Sequence, residues 1–322
     1  MNTTIKKIAY MFLGTLLIAA TPQLAMAQAK TTKLIVAFPP GGPVDFVARS
    51  ISEALSKELG QLVIVENKAG ANGAIAADYV IKSPPDGNTL WLTSVGAVAI
   101  NPSLYPKLSY NPQKDLAPVS LVVNNVELLV VHPNNPANNP AEFVANAKKQ
   151  RTTMASSGAG SVPHLAMEQV ADKTGANLVH VPYKGAAPAI TDVMAGHVDG
   201  FFGDIPGLIN NVKAGKLKPV GLAATQRHPL LPDVKTFEEM GIKGVDSDNW
   251  YAIFTSKATP PAEIARLNKA IARVLANDAV KTRLANSGAQ PAASTPQQLA
   301  ELLAKDTAKW EQLIRSKNIQ PQ

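Results

Sequence analysis

Short apolar runs rich in β-branched residues alternate along the chain with longer stretches in which apolar positions recur every third or fourth residue. The first run, Leu34 to Phe38, passes directly into Pro39-Pro40-Gly41-Gly42-Pro43, and an amphipathic stretch follows with Asp45 at its front and an end near Gly60. "QLVIVENKAGANGAIAADYVIKSPPDG" repeats the scheme, its helix closing before Pro84. "NTLWLTSVGAVAINP" gives a third strand that runs into a turn of small residues. Buried parallel strands joined by crossover helices produce this alternation.

A connecting stretch, "LAPVSLVVNNVELLVVHPNN", holds two apolar runs broken at Asn124-Asn125, and a second round begins after it. "TTMASSGAGSVPHLAMEQVADKTG" predicts strand, turn and helix, with Ser161 at the N-cap and Pro163 in the first turn. "ANLVHVPYKGAAPAITDVMAGH" predicts the next unit, its helix opened by Pro188 and ended by Gly196, and "VDGFFGDIPGLINNVKAGK" a third, with Asp204 placed to cap a helix near Pro206. "LKPVGLAA" supplies a fourth strand. A turn-rich stretch from Leu231 to Asp248 precedes the returning strand "NWYAIFTS", and the tail is helical, one helix opening on Thr259-Pro260 and one carrying a Thr295/Gln298 capping box with apolar residues at 299, 302, 303, 310 and 313. The chain therefore divides into an α/β lobe over 28–125, a second over 126–247, and a return to the first over 248–322.

The first 27 residues read differently. Lys6 and Lys7 precede an apolar stretch too short to span a bilayer, and Ala25-Met26-Ala27 offers small residues before Gln28, the pattern of a cleaved export signal. The 322-residue chain has a net charge of +7 but no dense run of Lys or Arg, so no nucleic-acid footprint is present in the sequence. It has no cysteine. That excludes disulfides, thiolate metal sites and a lipid anchored on an N-terminal Cys. Export without an anchor fits the periplasm.

Open parallel sheets bind ligands beyond the carboxyl ends of their strands, where the glycine-rich turns fall. Gly41 and Gly42 before one helix, and Ser156-Ser157-Gly158 with Gly160-Ser161 before another, expose backbone N–H groups and hydroxyls that suit a small anion, for which a carboxylate is the expected form. Other chemistries fit less well. Gly70-x-x-Gly73 lacks the leading Gly-x-Gly of a dinucleotide turn, no P-loop occurs, and the five histidines have no metal-ligand spacing. Ser161 with His164 is imaginable as a hydrolase pair, but the nucleophile elbow is absent and His164 reads as a donor to the cleft. Tyr183 either walls the pocket or packs in the core. Lys184 reads as solvated, Trp250 as core or hinge packing, and Asp204 as a helix cap or as an acceptor for an amino or hydroxyl group of the ligand.

"AFPPGGPVDFVAR", "VENKAGANGAIAADYV", "NPSLYPKLSYNPQKDLAPVS", "GAGSVPHLAMEQ", "VPYKGAAPAITDVMAGHVDGFF" and "YAIFTSKATPPAEI" resemble, in order, the Bug family of extracytoplasmic receptors of tripartite tricarboxylate transporters. The resemblance implies a periplasmic-binding-protein fold of type II with the ligand in the interlobe cleft. It implies a monomer without cofactor, metal or catalytic residue that captures a di- or tricarboxylate, amino acid or aromatic acid by lobe closure. Its partners would be one large and one small integral transporter subunit, or in the alternative a two-component sensor kinase. Carried onto this chain, the ligand-binding positions are Phe38, Gly42, Asp45, Ser94 and Asn101 in the first lobe. In the second they are Ser157, Gly158, Ser161, His164, Tyr183 and Asp204. One departure concerns "SVGAVAINP", where Gly96 and Ala97 replace the family's frequent hydroxyl or imidazole side chains and are expected to give a smaller, less polar cleft wall.

Overall fold

The computed structural model describes residues 30–321, so the predicted export signal lies outside the described residues. Two mixed sheets form the two lobes. The first contains β1 (Thr31–Val36), β2 (Leu62–Asn67), β3 (Thr89–Ser94), β4 (Leu116–Asn124), β10 (Tyr251–Ser256) and β11 (Gln290–Pro291), in the order β11-β4-β10-β3-β1-β2. The second contains β5 (Glu127–Val131), β6 (Thr152–Ser156), β7 (Leu178–Pro182), β8 (Gly200–Asp204) and β9 (Lys218–Leu222), in the order β7-β6-β8-β5-β9.

Each sheet is buried on both faces, as continuous apolar strands require. In β1, Leu34 and Val36 face one core with the helix Pro43–Leu59, while Ile35 and the following Ala37 face another that includes the helix Pro296–Ser316. In β5, Leu128 and Val130 alternate in the same way with Leu129 and Val131. Because both faces of these strands are apolar, burial does not by itself set their register; the pairing with neighbouring strands does.

The sheets are not purely parallel. β10 runs antiparallel between β3 and β4, and β5 antiparallel between β8 and β9. Both are strands that the chain enters directly after crossing from the other lobe, without a crossover helix to turn it. The two crossings lie side by side: Asn249 N–H donates to Asn125 O at 3.0 Å, the Asn125 amide donates to Asn249 O at 3.1 Å, and Val126 bridges Asp248.

Several local expectations change. The small-residue stretch after β3 is not a turn but a π-helical segment, Gly96–Ile100, leading into the helix Asn101–Leu104. The segment is buried, and neither Gly96 nor Ala97 lines the cleft chambers; Gly96 instead lies against Asn72 and Gly160 O where the lobes meet. Ser161 and Asp204 occupy N-cap positions, but neither side chain caps its helix. The helix expected from Pro188 opens at Ala186, and the one expected at Thr259 opens at Pro261. In the last helix the buried stripe is Leu299, Leu303, Trp310 and Ile314, with Asp306 among them accepting from Trp250 Nε1 at 2.6 Å. The capping box of Thr295 and Gln298 is formed.

Candidate functional site

The carboxyl ends of β1, β6, β7 and β8 all point to the gap between the lobes, and each leads into a helix: Pro43–Leu59, Val162–Thr174, Ala186–Met194 and Ile205–Lys213. Their first turns line one pocket, through Gly42, Pro43 and Val44, Ser161 and Val162, Gly185 and Ala186, and Asp204. The N–H groups of Val44 and Val162 find no partner within the described residues, as the first turn of a helix dictates. Four partial positive charges therefore converge on one small volume. Phe38, Phe201 and Tyr251 supply apolar walls; Ser94, Ser157, Asn72 and Asn249 add polar side chains. The only cationic side chain on this lining is the exposed Lys184. A second chamber adjoins the first through Phe38, Asn72, Ser157 and Lys184, and extends past Tyr105, Gly158 and Tyr183.

The predicted residues thus fall into three groups. Phe38, Gly42, Ser94, Ser157, Ser161 and Asp204 line the first pocket, and Gly158 and Tyr183 line the second chamber. The Tyr183 hydroxyl donates to Asp192 at 2.5 Å, and burial followed by the Asp192 carboxylate pushes the phenol up to about 12.

Asp45, Asn101 and His164 stand behind the lining. Asp45 accepts from Gly41 N–H at 3.0 Å, Arg49 Nε at 2.9 Å and Asn67 Nδ2 at 2.9 Å, which pins the turn after β1, where Gly41 sits at φ 80°. Burial alone would raise this carboxyl, but the bonds from Arg49, Gly41 and Asn67 outweigh it and hold it below the ordinary value. Its contribution is therefore complete above the unfolded carboxyl pKa and is lost as pH falls through the lower folded value. Asp45→Ala is expected to cost about 1.5–3 kcal/mol at neutral pH, the range for hydrogen bonds to a charged group, and the deficit should shrink on acidification. A constant deficit from neutral pH to about pH 3 in denaturant titrations would contradict this role for the carboxylate.

Asn101 is fully buried and holds Asn72 in place: Asn72 Nδ2 donates to Asn101 Oδ1 at 2.8 Å, and Asn101 Nδ2 to Asn72 O at 3.1 Å. Asn72, at φ 46°, also donates across the cleft to Gly160 O at 3.1 Å. Tyr105 makes a parallel interlobe bond to Ala159 O at 3.1 Å. The sequence reading passes over Asn72 because "AGANG" reads as a bare glycine turn; the Asn between glycines, a residue tolerant of left-handed backbone, is the signal that was available.

His164 turns away from the cleft. Its Nδ1 accepts from Gly160 N–H at 3.2 Å and its ring stacks on His180 with centroids 3.7 Å apart. Ser161 Oγ donates instead to Gly158 O at 2.7 Å, so the Ser161/His164 hydrolase pairing does not form. The one Ser–His contact made here, Ser156 Oγ with His180 Nε2 at 2.6 Å, lacks an orienting acid, because His180 Nδ1 has no partner. Burial, then the neighbouring His164, lowers His180 to about 3, leaving a neutral ring that braces the turn.

At the floor of the pocket Asp204 accepts from the Tyr251 hydroxyl across the lobes, and Glu127, its direct partner on β5, accepts from Asn249 Nδ2 at 3.0 Å. Burial lifts Asp204 to about 7 and Glu127 well above the carboxylate range. Among the described residues no group of three or more His, Cys, Asp or Glu side chains could hold a metal ion, and no helix is long and apolar enough to cross a membrane.

Known proteins share this arrangement. Residues 47–319 match the family described as the tripartite tricarboxylate transporter family receptor. Protein BugT of Bordetella pertussis is 34% identical over 307 residues, covering 94% of each chain. Among solved structures, the periplasmic binding protein BugD superposes with a TM-score of 0.85 at 31% identity, covering 91% of this chain and 99% of its own. MatC of Rhodopseudomonas palustris with bound malate gives 0.82 at 33% identity, over 88% and 98% of the two chains. A second R. palustris protein, solved with adipate, gives 0.87 at 30% identity, over 91% and 98%. Two lobes of this fold, with a pocket of helix N-termini between them and sequence agreement along most of the chain, place the protein in the Bug family of tripartite tricarboxylate transporter receptors, which are solute-binding proteins and not enzymes.

Proposed function

We propose that this receptor works in the periplasm, captures a small organic carboxylate between its lobes and delivers it to the large and small membrane subunits of a tripartite transporter. The observation that carries this reading is the convergence of four helix first turns on a pocket with no arginine. Fixed dipoles and unpaired N–H groups stabilise a carboxylate there without the desolvation of a second formal charge. The malate and adipate seen in two relatives support the same ligand class.

The paired crossings at Asn125 and Asn249 serve as the hinge between the lobes. Ligand contacts from both lobes favour the state in which Asn72 reaches Gly160 and Tyr105 reaches Ala159, and the transporter recognises that state.

The test is thermal unfolding of the protein, refolded from denaturant to remove any co-purified ligand, against mono-, di- and tricarboxylates and aromatic acids. A ligand at one hundred times its Kd stabilises by about 2.7 kcal/mol. Ser161→Ala should weaken the best ligand by about 1.5–3 kcal/mol, the range for a hydrogen bond to a charged group, its hydroxyl turning from Gly158 O to the carboxylate. Absence of any shift across the whole panel would defeat the carboxylate reading.

A further inference from the structure

Glu127 and Asp204 face one another as paired residues of antiparallel β5 and β8, in hydrogen-bonding contact. Glu127 is wholly buried and Asp204 only 9% exposed, its open side forming part of the pocket lining. On each carboxyl one oxygen is occupied: Asp204 Oδ2 by the Tyr251 hydroxyl, Glu127 Oε1 by Asn249 Nδ2. The other two, Asp204 Oδ1 and Glu127 Oε2, are buried and have no donor in the protein. Two orphaned acceptors in contact in a buried site are an arrangement that two carboxylates cannot sustain, since both desolvation and mutual repulsion oppose it. One proton between them satisfies both oxygens.

We propose that Glu127 and Asp204 share one proton in the floor of the cleft and take up a second together with the ligand's carboxylate, so that the pair favours an anion over an amine only in its doubly protonated, neutral form. Glu127 does not line the pocket; it is a positioning residue that acts through Asp204. Among the described residues no cationic side chain acts on the pair, although the exposed Lys184 lies on the same pocket lining. The groups that act on it are Tyr251 and Asn249 from the returning crossing and the two carboxyls themselves. From the neighbouring elements, β9 presents Leu222 beside Leu128, and His228 lies on the far side of Ile205 near Gly288. Across the pocket Ser94 and Ser161 are neutral.

The consequence rests on the carboxylate reading above. With both carboxyls raised by burial, the pair keeps one proton and one negative charge in mildly alkaline buffer. An entering carboxylate repels that charge and raises the pair's affinity for a second proton, so anion affinity rises as pH falls and levels off once the ligand-free pair is doubly protonated. An ammonium group on the ligand would do the opposite.

Two independent measurements test the proposal. The first needs no ligand: the infrared spectrum of the protein at about pH 8 should contain an acid C=O stretch that disappears in Glu127→Gln. If the difference spectrum has no such band, there is no shared proton and the proposal fails, whatever the protein binds. The second uses adipate as the probe, by calorimetry in buffers of differing ionisation enthalpy. Net proton uptake is expected, with affinity gaining up to about tenfold per pH unit as the buffer is taken from alkaline toward neutral pH. Asp204→Asn should flatten that slope. Adipate binding with no proton uptake in the native protein, or tighter binding of the amino acid of equal chain length as pH falls, overturns the selector role. Failure of every carboxylate to bind overturns the proposed function and the selector role with it, while the infrared result still decides the shared proton.

Discussion

Replacing Trp310 by Ala is expected to lower the unfolding free energy by about 3–5 kcal/mol, the cost of emptying a large buried aromatic site. Trp310 is fully buried on the C-terminal helix, in the same cluster as Trp91, Trp250 and Phe254 of the first sheet and its edge. Its Nε1 has no hydrogen-bond partner, so the loss is one of packing and leaves no stranded acceptor behind. The surrounding elements have little freedom to collapse into the void. On one side stands β4 of the first sheet, on the other the π-helical segment Gly96–Ile100. That segment leads straight into Asn101, which orients Asn72, so the substitution should also weaken ligand binding. Urea titration reads the first effect as a lower midpoint at unchanged slope. A change below about 1 kcal/mol, the ordinary level for surface substitutions, would mean that the C-terminal helix is not an integral part of the first lobe's core.

Gly207→Leu should have the largest effect on binding for the least effect on the ligand-free protein. Gly207 lies in the first turn of the helix Ile205–Lys213, and a Cβ there would come within 2.9 Å of Pro43 Cγ on the opposing lobe. The proline ring is rigid and cannot rotate aside. A longer side chain therefore acts as a wedge only where the lobes meet, and overpacking of this kind costs about 1–3 kcal/mol. Because the cost falls on the ligand-competent arrangement alone, affinity for the best carboxylate should drop by about 5- to 150-fold. The ligand-free melting temperature should hold or rise, since Leu is the better helix former. Small-angle scattering would show the ligand-bound variant more extended than the native complex. Unchanged affinity would show that the lobes do not need this approach in order to hold ligand.

Much of the architecture was legible because continuous apolar runs mark the buried strands and proline or glycine bounds nearly every helix. Leu34 to Ala37 and Leu128 to Val131, apolar at every position, could only be strands buried on both faces. The break at Asn124-Asn125 was equally readable, since polar residues inside a continuous apolar run have no place within one sheet. Direction was not legible: nothing local in "NWYAIFTS" reveals that β10 runs against its neighbours, because that follows from where the chain last crossed between lobes. The site divides along the same line. Gly42, Ser157 and Ser161 lie on turns whose chemistry is local. Asn72, Asn249 and Tyr251 reach the pocket from the third dimension, through contacts with Asn101, Glu127 and Asp204 that are 29, 122 and 47 residues distant. Asp204 misled for a related reason. An acid before a helix is normally its cap, and only the strand pairing shows that a second carboxyl stands beside it.

The position of β10 has a consequence for how the chain is made. The first sheet cannot close until residues 251–256 arrive, because they fill the gap between β4 and β3, yet β1 to β4 are synthesised before the entire second lobe. The second sheet, by contrast, is built from one uninterrupted segment, Glu127 to Leu222, and needs nothing from beyond it. A chain emerging from its amino end would thus hold four apolar strands unfinished while its middle folds. Such long-range completion delays folding and lengthens the interval in which the chain is loose. In the export proposed above the chain would cross a membrane unfolded, and a sheet whose central strand comes late is a built-in delay of the right kind.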